Sequence, residues 1–479
     1  MKRGLLIAVA LFALARPARA DAPRISSSNY SLDLFQGPVT TASRVIGLAG
    51  AYTALAEWCE GEYSNAAAPA VRAPYSLGKW DYDICLGFTN PGAFSGVDFE
   101  NRGSGLDSLP SRFSSSFTVN AGLEVQYGTV GVTVVYDQIR FGLQQATSDS
   151  VVINRVTGSI ANAFLDQQLM LGIGFRAATF ELDEQVGTDN EPLISSGGAS
   201  MQVGAVLAPK RSQLRLGATL RTELDIGDIR GTKTIGDSQA VDCDANGQNC
   251  KILPSHITVP WEIEVGAAIE LGKRPLNPPR LDTSHAEDVI RARYDDARVA
   301  RAKKHAATIA AAPEARREAV RRGLELEELS TEAREDAAMN KELDALTDLQ
   351  KAQARLWDRR RMLLLVSVLV TGNAPNAVGI SDFLAQRDVA SGQNVVFSPR
   401  LAFETEAIPG WLMVRGGTYL EPARYSDAFS REHFTAGVDV RLFKFNPFGL
   451  FGDDPWRLRL AGDVSARYFN YGVSLGKYH

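Results

Sequence analysis

Apolar and polar residues alternate with a period of two through most of the chain beyond residue 78. Phe117, Val119, Ala121, Leu123, Val125 and Tyr127 interleave with Ser116, Thr118, Asn120, Gly122, Glu124 and Gln126, the mark of a strand with one apolar and one wet face. The pattern recurs at Trp80 to Phe88, Val130 to Tyr136, Ile257 to Ile269 and Phe434 to Leu442. About fourteen such segments can be counted, near 78–88, 116–127, 129–140, 151–163, 168–182, 200–208, 213–226, 256–271, 362–371, 394–406, 411–420, 431–443, 456–467 and 469–478. Many are as long as the roughly 9 to 11 residues that a tilted strand needs to cross a bilayer, whereas strands of a soluble sandwich usually run to about five or six. Connections after strands two, four, six and ten read as tight, and those after strands one, three, five, seven and nine as long and polar. Together these features predict an all-β transmembrane protein: an antiparallel outer-membrane β-barrel of about 14 strands over residues 78–479. Trp80, Tyr127, Tyr136, Trp261, Trp411, Tyr419 and Tyr468 lie near segment ends and predict aromatic girdles.

A second composition interrupts the barrel at residues 273–361. Between Ser284 and Arg361, 33 of 78 residues are charged, Ala is abundant, and Gly and Pro occur once each. This predicts an α-helical insertion, with Pro313 opening a helix after Ala310-Ala311-Ala312. Leu343, Leu346, Leu349, Ala352 and Leu356 make an apolar stripe on it. Counting strands places the insertion after strand eight, on the short-turn, periplasmic side.

Residues 1–20 read as a signal peptide: Lys2 and Arg3 precede an apolar stretch from Leu5 to Ala15, and Ala18-Arg19-Ala20 provides a cleavage site before Asp21. The mature chain is expected to leave the cytoplasm. Net charge is only -5 with 22 % charged residues, too weak a balance to imply nucleic acid. Cys59, Cys85, Cys243 and Cys250 suit an oxidising compartment and allow three pairings. Proximity favours Cys243 with Cys250, which leaves Cys59 with Cys85. The loop Asp242 to Cys250 imitates the start of a calcium loop, but Leu253 stands where the bidentate Glu belongs, so a stapled polar loop is the better reading.

Residues 21–77 do not alternate. They carry Arg44-Val45-Ile46-Gly47-Leu48-Ala49-Gly50-Ala51-Tyr52-Thr53-Ala54, then Glu62-Tyr63-Ser64-Asn65-Ala66-Ala67-Ala68-Pro69. No strand precedes these glycines and the G-x-G-x-x-G spacing is absent, which excludes a nucleotide loop. The stretch resembles the N-terminal region of the FadL/TodX family of outer-membrane transporters for long-chain fatty acids and other hydrophobic compounds, and of the related PorV-like barrels. In those families an arginine, a G-x-G-G-A-Y-T-A run and an N-P-A-G element form a plug inside a fourteen-stranded barrel. Here Ala49 replaces one glycine of the pair and Pro69 is displaced. The resemblance implies a plug at 21–77 with Arg44, Gly47, Gly50, Tyr52, Tyr63 and Asn65 as plug and gating residues. In the first strand, Cys85 shares its phase with Asp81 and Asp83, opposite Trp80 and Phe88; with the preceding helix in the lumen, a Cys59–Cys85 bond would tie plug to wall.

Enzyme chemistry is not expected. His256, His285, His305, His433 and His479 have no metal-ligand spacing, and no G-x-S-x-G serine or paired-carboxylate site stands out. Neither metal nor cofactor is expected, and the histidines read as surface or girdle residues. The resemblance implies passive uptake of long-chain fatty acids or other hydrophobic small molecules across the cell outer membrane, amid outer-membrane lipid, with release through the wall beside the plug. Gly131, Gly172, Gly174 and Gly266 would then serve as kinks, or as close contacts with the plug. The competing expectation is a PorV-like scaffold that binds a periplasmic protein partner through its loops and residues 284–361.

Overall fold

The computed structural model describes residues 22–477 apart from 36, 74–75, 77–79, 92–97, 103–112, 144–149, 187–188, 228, 232, 242, 244–249, 274, 279–282, 356–361, 427 and 447–453. The signal segment and most of the calcium-like loop lie outside the described residues.

Fourteen strands close into an antiparallel barrel. They are β1 Trp80–Asn90, β2 Phe113–Tyr127, β3 Val130–Leu143, β4 Ser150–Phe164, β5 Leu169–Val186, β6 Asp189–Leu207, β7 Leu214–Arg221, β8 Glu262–Leu271, β9 Met362–Thr371, β10 Val396–Ile408, β11 Leu412–Glu421, β12 Arg431–Phe445, β13 Asp454–Ser465 and β14 Tyr468–Lys477. Pairing of β1 with β14, Cys85 opposite Gly476, closes the ring. Among the described residues no helix is long and apolar enough to cross a membrane.

The period-two alternation sorts the wall into an apolar exterior and a polar lumen. Leu123, Val132, Ile173, Val203, Leu216, Val265 and Leu401 are exposed outside, while Glu124, Thr133, Gln202, Thr219, Glu264 and Glu404 are buried within. Such an inversion is stable where lipid replaces water around the wall. Trp80 and Tyr127 lie together at the short-turn end, ring centroids 4.7 Å apart. Tyr419 and Tyr468, expected in a girdle, are buried in the lumen because they fall in the inward phase.

Toward the loop end the sense of the wall reverses. Beyond Tyr136 the outward residues Gln138, Asn154 and Thr179 are polar: Asn154 Oδ1 accepts from Tyr136 (2.8 Å) and Gln138 (3.1 Å), and Asn154 Nδ2 donates to Thr179. The inward Ile139, Ile153, Phe180, Leu182 and Ile194 join an apolar core with Leu32, Leu224, Ile257 and Phe383. The loop end is therefore a head with an ordinary apolar interior. Five short strands form a sheet there, in the order Ala390–Ser391, Ala377–Gly379, Ser31–Asp33, His256–Val259, Leu224–Ile226. Ser31–Asp33 pairs in parallel with both of its neighbours.

This sheet explains two departures from the expected strands. The segments 213–226 and 256–271 each split, because β7 stops at Arg221 and β8 starts at Glu262, and the remainder turns inward to the head. Pro260, with no N–H to donate, breaks the second of them. The connection after β5 is also short, residues 187–188, where a long polar loop was expected; β5 and β6 instead continue as one hairpin of 18 and 19 residues.

Before the barrel, the helices α1 Ser43–Gly47 and α2 Trp58–Gly61 lie in the lumen. The insertion is a hairpin of α3 Ser284–Ala311 and α4 Arg317–Arg355, about 60 Å long at 1.5 Å per residue. It leaves the wall where Leu271 faces Met362, at the short-turn end. Its seam is apolar toward the barrel, with half-buried Ile290, Tyr294, Leu343 and Leu346, and ionic further out, where Arg301 pairs with Glu328 and Glu335 and His305 with Glu328. The expected leucine stripe does not form one face: Leu349 points outward, 58 % exposed, and Leu356 lies outside the described residues.

Candidate functional site: the plug and the cavity beside it

Small residues let the lumenal segment lie directly on the wall. A Cβ added to Gly131, Gly172, Gly204 or Gly217 would fall within 1.8–2.2 Å of Pro69 O, Ala66 O, Asn65 Oδ1 and Thr53 O respectively. Those glycines stand on β3, β5, β6 and β7 and form a ladder on which the backbone of residues 53–69 rests. Gly174 and Gly266 instead face neighbouring strands. None of Gly131, Gly172, Gly174 or Gly266 sits at a register shift, so these glycines serve packing and do not kink the wall.

The six residues expected in a plug each make a specific contact in the lumen. Arg44 donates from Nε (3.1 Å) and Nη2 (2.8 Å) to the two carboxylate oxygens of Glu404, and from Nη1 to Tyr52 Oη at 2.8 Å. Tyr52 donates in turn to Glu57 O. From Glu404 the charges continue through Arg415 to Asp439, at 3.0 and 2.7 Å, while Arg459 bonds Glu60 on α2 at 2.7 Å. Gly47 O accepts from Thr435, and Gly50 O from Arg400. Gly50 has φ +73° and the preceding Ala49 +54°, the left-handed region, where the resembling family carries a glycine pair. Tyr63 donates to Asp137 Oδ1 at 2.9 Å, and its carbonyl accepts from Arg221. Asn65 Nδ2 bridges Thr53 O and Ala205 O at 2.9 and 3.1 Å, and its Oδ1 accepts from Ala67 N–H. Cys59 and Cys85 are disulfide-bonded, as are Cys243 and Cys250.

Between the plug and strands β3 to β10 lies a cavity of about 170 Å³. It sits at the level where the head meets the polar lumen. Leu34, Phe35, Val39, Ile153, Leu224 and Leu369 supply its apolar surface. Arg155, Arg176, Arg221 and Arg400 face it together with Glu62, Asp137, Glu262 and Glu264. Arg155 pairs with Asp137 (3.5 Å), Arg221 with Glu262 (3.1 Å) and Arg400 with Glu264 (3.3 Å). Glu62, on the plug, accepts from Ser159 and, at 2.6 Å, from Gln202. Burial pushes its carboxyl up to about 8, against the opposing pull of those hydrogen bonds and of Arg221.

On the side of the plug segment facing β11 and β12, Val39 N–H donates to Tyr419 Oη at 3.2 Å. His433, expected at the surface or in a girdle, is fully buried there, with its ring nitrogens 2.7 Å from Glu421 and 2.8 Å from Asp463.

The sequence reading did not single out Glu62, Arg155, Arg176 or Arg221. The signal was available: Arg176 shares the phase of Gly172 and Gly174 on β5, and an arginine in the inward phase of a barrel strand faces the lumen.

A closed fourteen-stranded barrel with an N-terminal lumenal segment defines the class of fold: a transmembrane β-barrel with a filled lumen. No protein-family model matches this sequence, and no curated protein matches it. Among solved structures, CymD, a monoaromatic hydrocarbon channel, aligns with TM-score 0.50 and 8 % identity over 92 % of this chain and 97 % of that one. A Pseudomonas aeruginosa FadL homologue aligns at 0.47 and 9 %, over 94 % and 99 %. The Pseudomonas putida toluene transporter TodX aligns at 0.42 and 9 %, over 94 % and 100 %. The particular fold is thus one that this chain shares with CymD.

Proposed function

We propose that the chain is a channel of the Gram-negative outer membrane that takes up small hydrophobic compounds, with the loop end outside the cell and the short-turn end in the periplasm. The observation that carries this reading is the cavity, which opens between an apolar head and a polar lumen and has the plug as one wall. A compound held there reaches the lumen only if the plug moves. In size, the cavity of about 170 Å³ is close to the roughly 150 Å³ that holds a benzene ring, so it accommodates a single ring. A long acyl chain would need residues 34–41 displaced. Arg44, Gly47, Gly50, Tyr52, Tyr63 and Asn65 then act as the plug's holding points. Release through the wall would lie at one of its two shortest pairings, β6 with β7 over Gln202 to Leu207 or β1 with β14 over Cys85 to Asn90.

Uptake of labelled toluene and of a labelled long-chain fatty acid by cells lacking their own channel tests this. Wild-type protein is expected to restore uptake of toluene above that of the fatty acid. Asn65→Asp removes both donors from Thr53 O and Ala205 O, each orphaned acceptor costing about 1–3 kcal/mol, and is expected to alter uptake while the barrel persists. No uptake of either compound by a correctly inserted wild-type barrel would overturn the reading.

The helical hairpin supports a second reading, a scaffold that binds a periplasmic protein. Val289, Val299, Leu326, Leu329 and Leu349 are exposed along it and give a partner helix apolar positions to cover.

A further inference from the structure

Of the four arginines facing the cavity, three have carboxylate partners and Arg176 does not. Among the described residues Arg176 makes no hydrogen bond or ion pair, and its Nη1 is buried and unsatisfied. Arg176 is half-buried, and the nearest carboxylate acting on it, Glu262, is already paired with Arg221; its neighbours in register, Thr157 on β4 and Ser200 on β6, do not bond it, and a buried N–H left without an acceptor is costly. Arg155 and Arg221, on β4 and β7, face the same cavity. Four carboxyls oppose the four arginines, but Glu62 is protonated at neutral pH, since its carboxyl titrates near 8. The lining therefore holds one positive charge in excess. Its apolar surface comes from the head side, from Leu34, Phe35 and Ile153 among others.

We infer that this cavity is a subsite for a small amphipathic monoanion, a single ring or short chain bearing one carboxylate, with Arg176 as the group that receives the carboxylate. A planar carboxylate matches the paired N–H groups of a guanidinium, and the apolar part of the ligand lies toward Leu34 and Phe35. The inference rests on the uptake reading and narrows it: the preferred cargo carries a charge that a hydrocarbon lacks, and is smaller than a long-chain fatty acid.

The test is calorimetric binding to the purified full-length barrel in detergent, with benzoate, toluene and hexadecanoate as probes. Benzoate is expected to bind at least about tenfold more tightly than toluene or hexadecanoate. Arg176→Gln is expected to weaken benzoate by about 10- to 100-fold, the worth of a hydrogen bond to a charged group, and to change toluene by less than about threefold, so that the benzoate preference is lost. Arg176→Lys should keep the charge preference and lose part of the affinity. Because Arg176 holds no other group in place, the Gln variant is expected to retain the wild-type heat-modified migration, which verifies folding. Toluene binding as tightly as benzoate, or benzoate binding unaffected in a folded Arg176→Gln barrel, overturns the carboxylate subsite and leaves hydrophobic uptake standing. Failure of all three probes to bind the wild type overturns both.

Discussion

Glu62 stands at the contact of plug, wall and cavity, and its protonation links them. In the unfolded chain it titrates near 4.5, and in the folded barrel near 8. A carboxyl raised in this way favours the fold at low pH, and that contribution is lost as the pH climbs from about 4.5 through about 8, at no more than ~1.4 kcal/mol per pH unit. Glu62→Gln, which stays neutral, keeps an acceptor for Gln202 and turns its amide N–H toward the Ser159 hydroxyl, is expected to flatten this dependence and to melt higher than wild type above pH 8. Thermal unfolding of the two proteins between pH 5 and pH 9 measures it; parallel curves would remove the linkage. In the same range, benzoate should bind less tightly as Glu62 ionises opposite Arg221. Of these site residues, those in the small-residue run were legible in the sequence because they depart from strand periodicity. Arg176 and Glu62 were not, because a charge inside a barrel looks in sequence like a charge on any wet face; only knowing which phase meets the plug separates them.

At the level of elements, the glycine ladder converts a sequence property into a fit. Gly172 carries the backbone of Ala66, with no room for a methyl group, so Gly172→Val is expected to displace the plug without breaking β5, because its cross-strand neighbours Ala161 and Gly204 are small and valine suits a strand. Single-channel recording in planar bilayers should show a conductance well above that of wild type. Gly197→Ala is the control: an added Cβ there meets nothing nearer than 3.4 Å, and conductance should not change. The helical hairpin behaves as a separate element. Its helices pack chiefly on one another, and Leu271 and Met362 are already paired at its base, so deleting residues 284–355 and joining the ends with a short turn is expected to leave the melting temperature of the barrel within a few degrees of wild type. A large drop would mean that the hairpin braces the wall. The number of wall strands was readable because each keeps its phase for ten residues or so. The ends of β7 and β8 were not, since Leu224–Ile226 and His256–Val259 alternate like wall strands and leave the wall only to pair with each other, and His256–Val259 with Ser31–Asp33, a partner remote in sequence.

For the whole molecule, two covalent ties restrain different parts. Cys59–Cys85 joins the plug helix to the first wall strand, and Cys243–Cys250 closes a loop of the head. Replacing Cys59 and Cys85 together by Ser is expected to cost about 2–4 kcal/mol and to make the segment 43–71 accessible to protease, whereas replacing Cys243 and Cys250 should leave that segment protected. Limited proteolysis followed by mass spectrometry distinguishes the two. The placement of Ser31–Asp33 bears on how such a molecule is made. This strand lies between His256–Val259 and Ala377–Gly379, each hydrogen-bonded along it, yet it is the earliest of the three in the chain. The head sheet is therefore completed only after β9 has been followed by its loop, and the N-terminal strand has neither of its two partners until His256–Val259 follows β7. Contacts that close such long stretches of chain form late and slowly. Whatever folds this protein has to keep its leading end out of the lipid and out of the wrong strand edge until the last third of the wall arrives, and the ring then shuts around a plug already threaded through it.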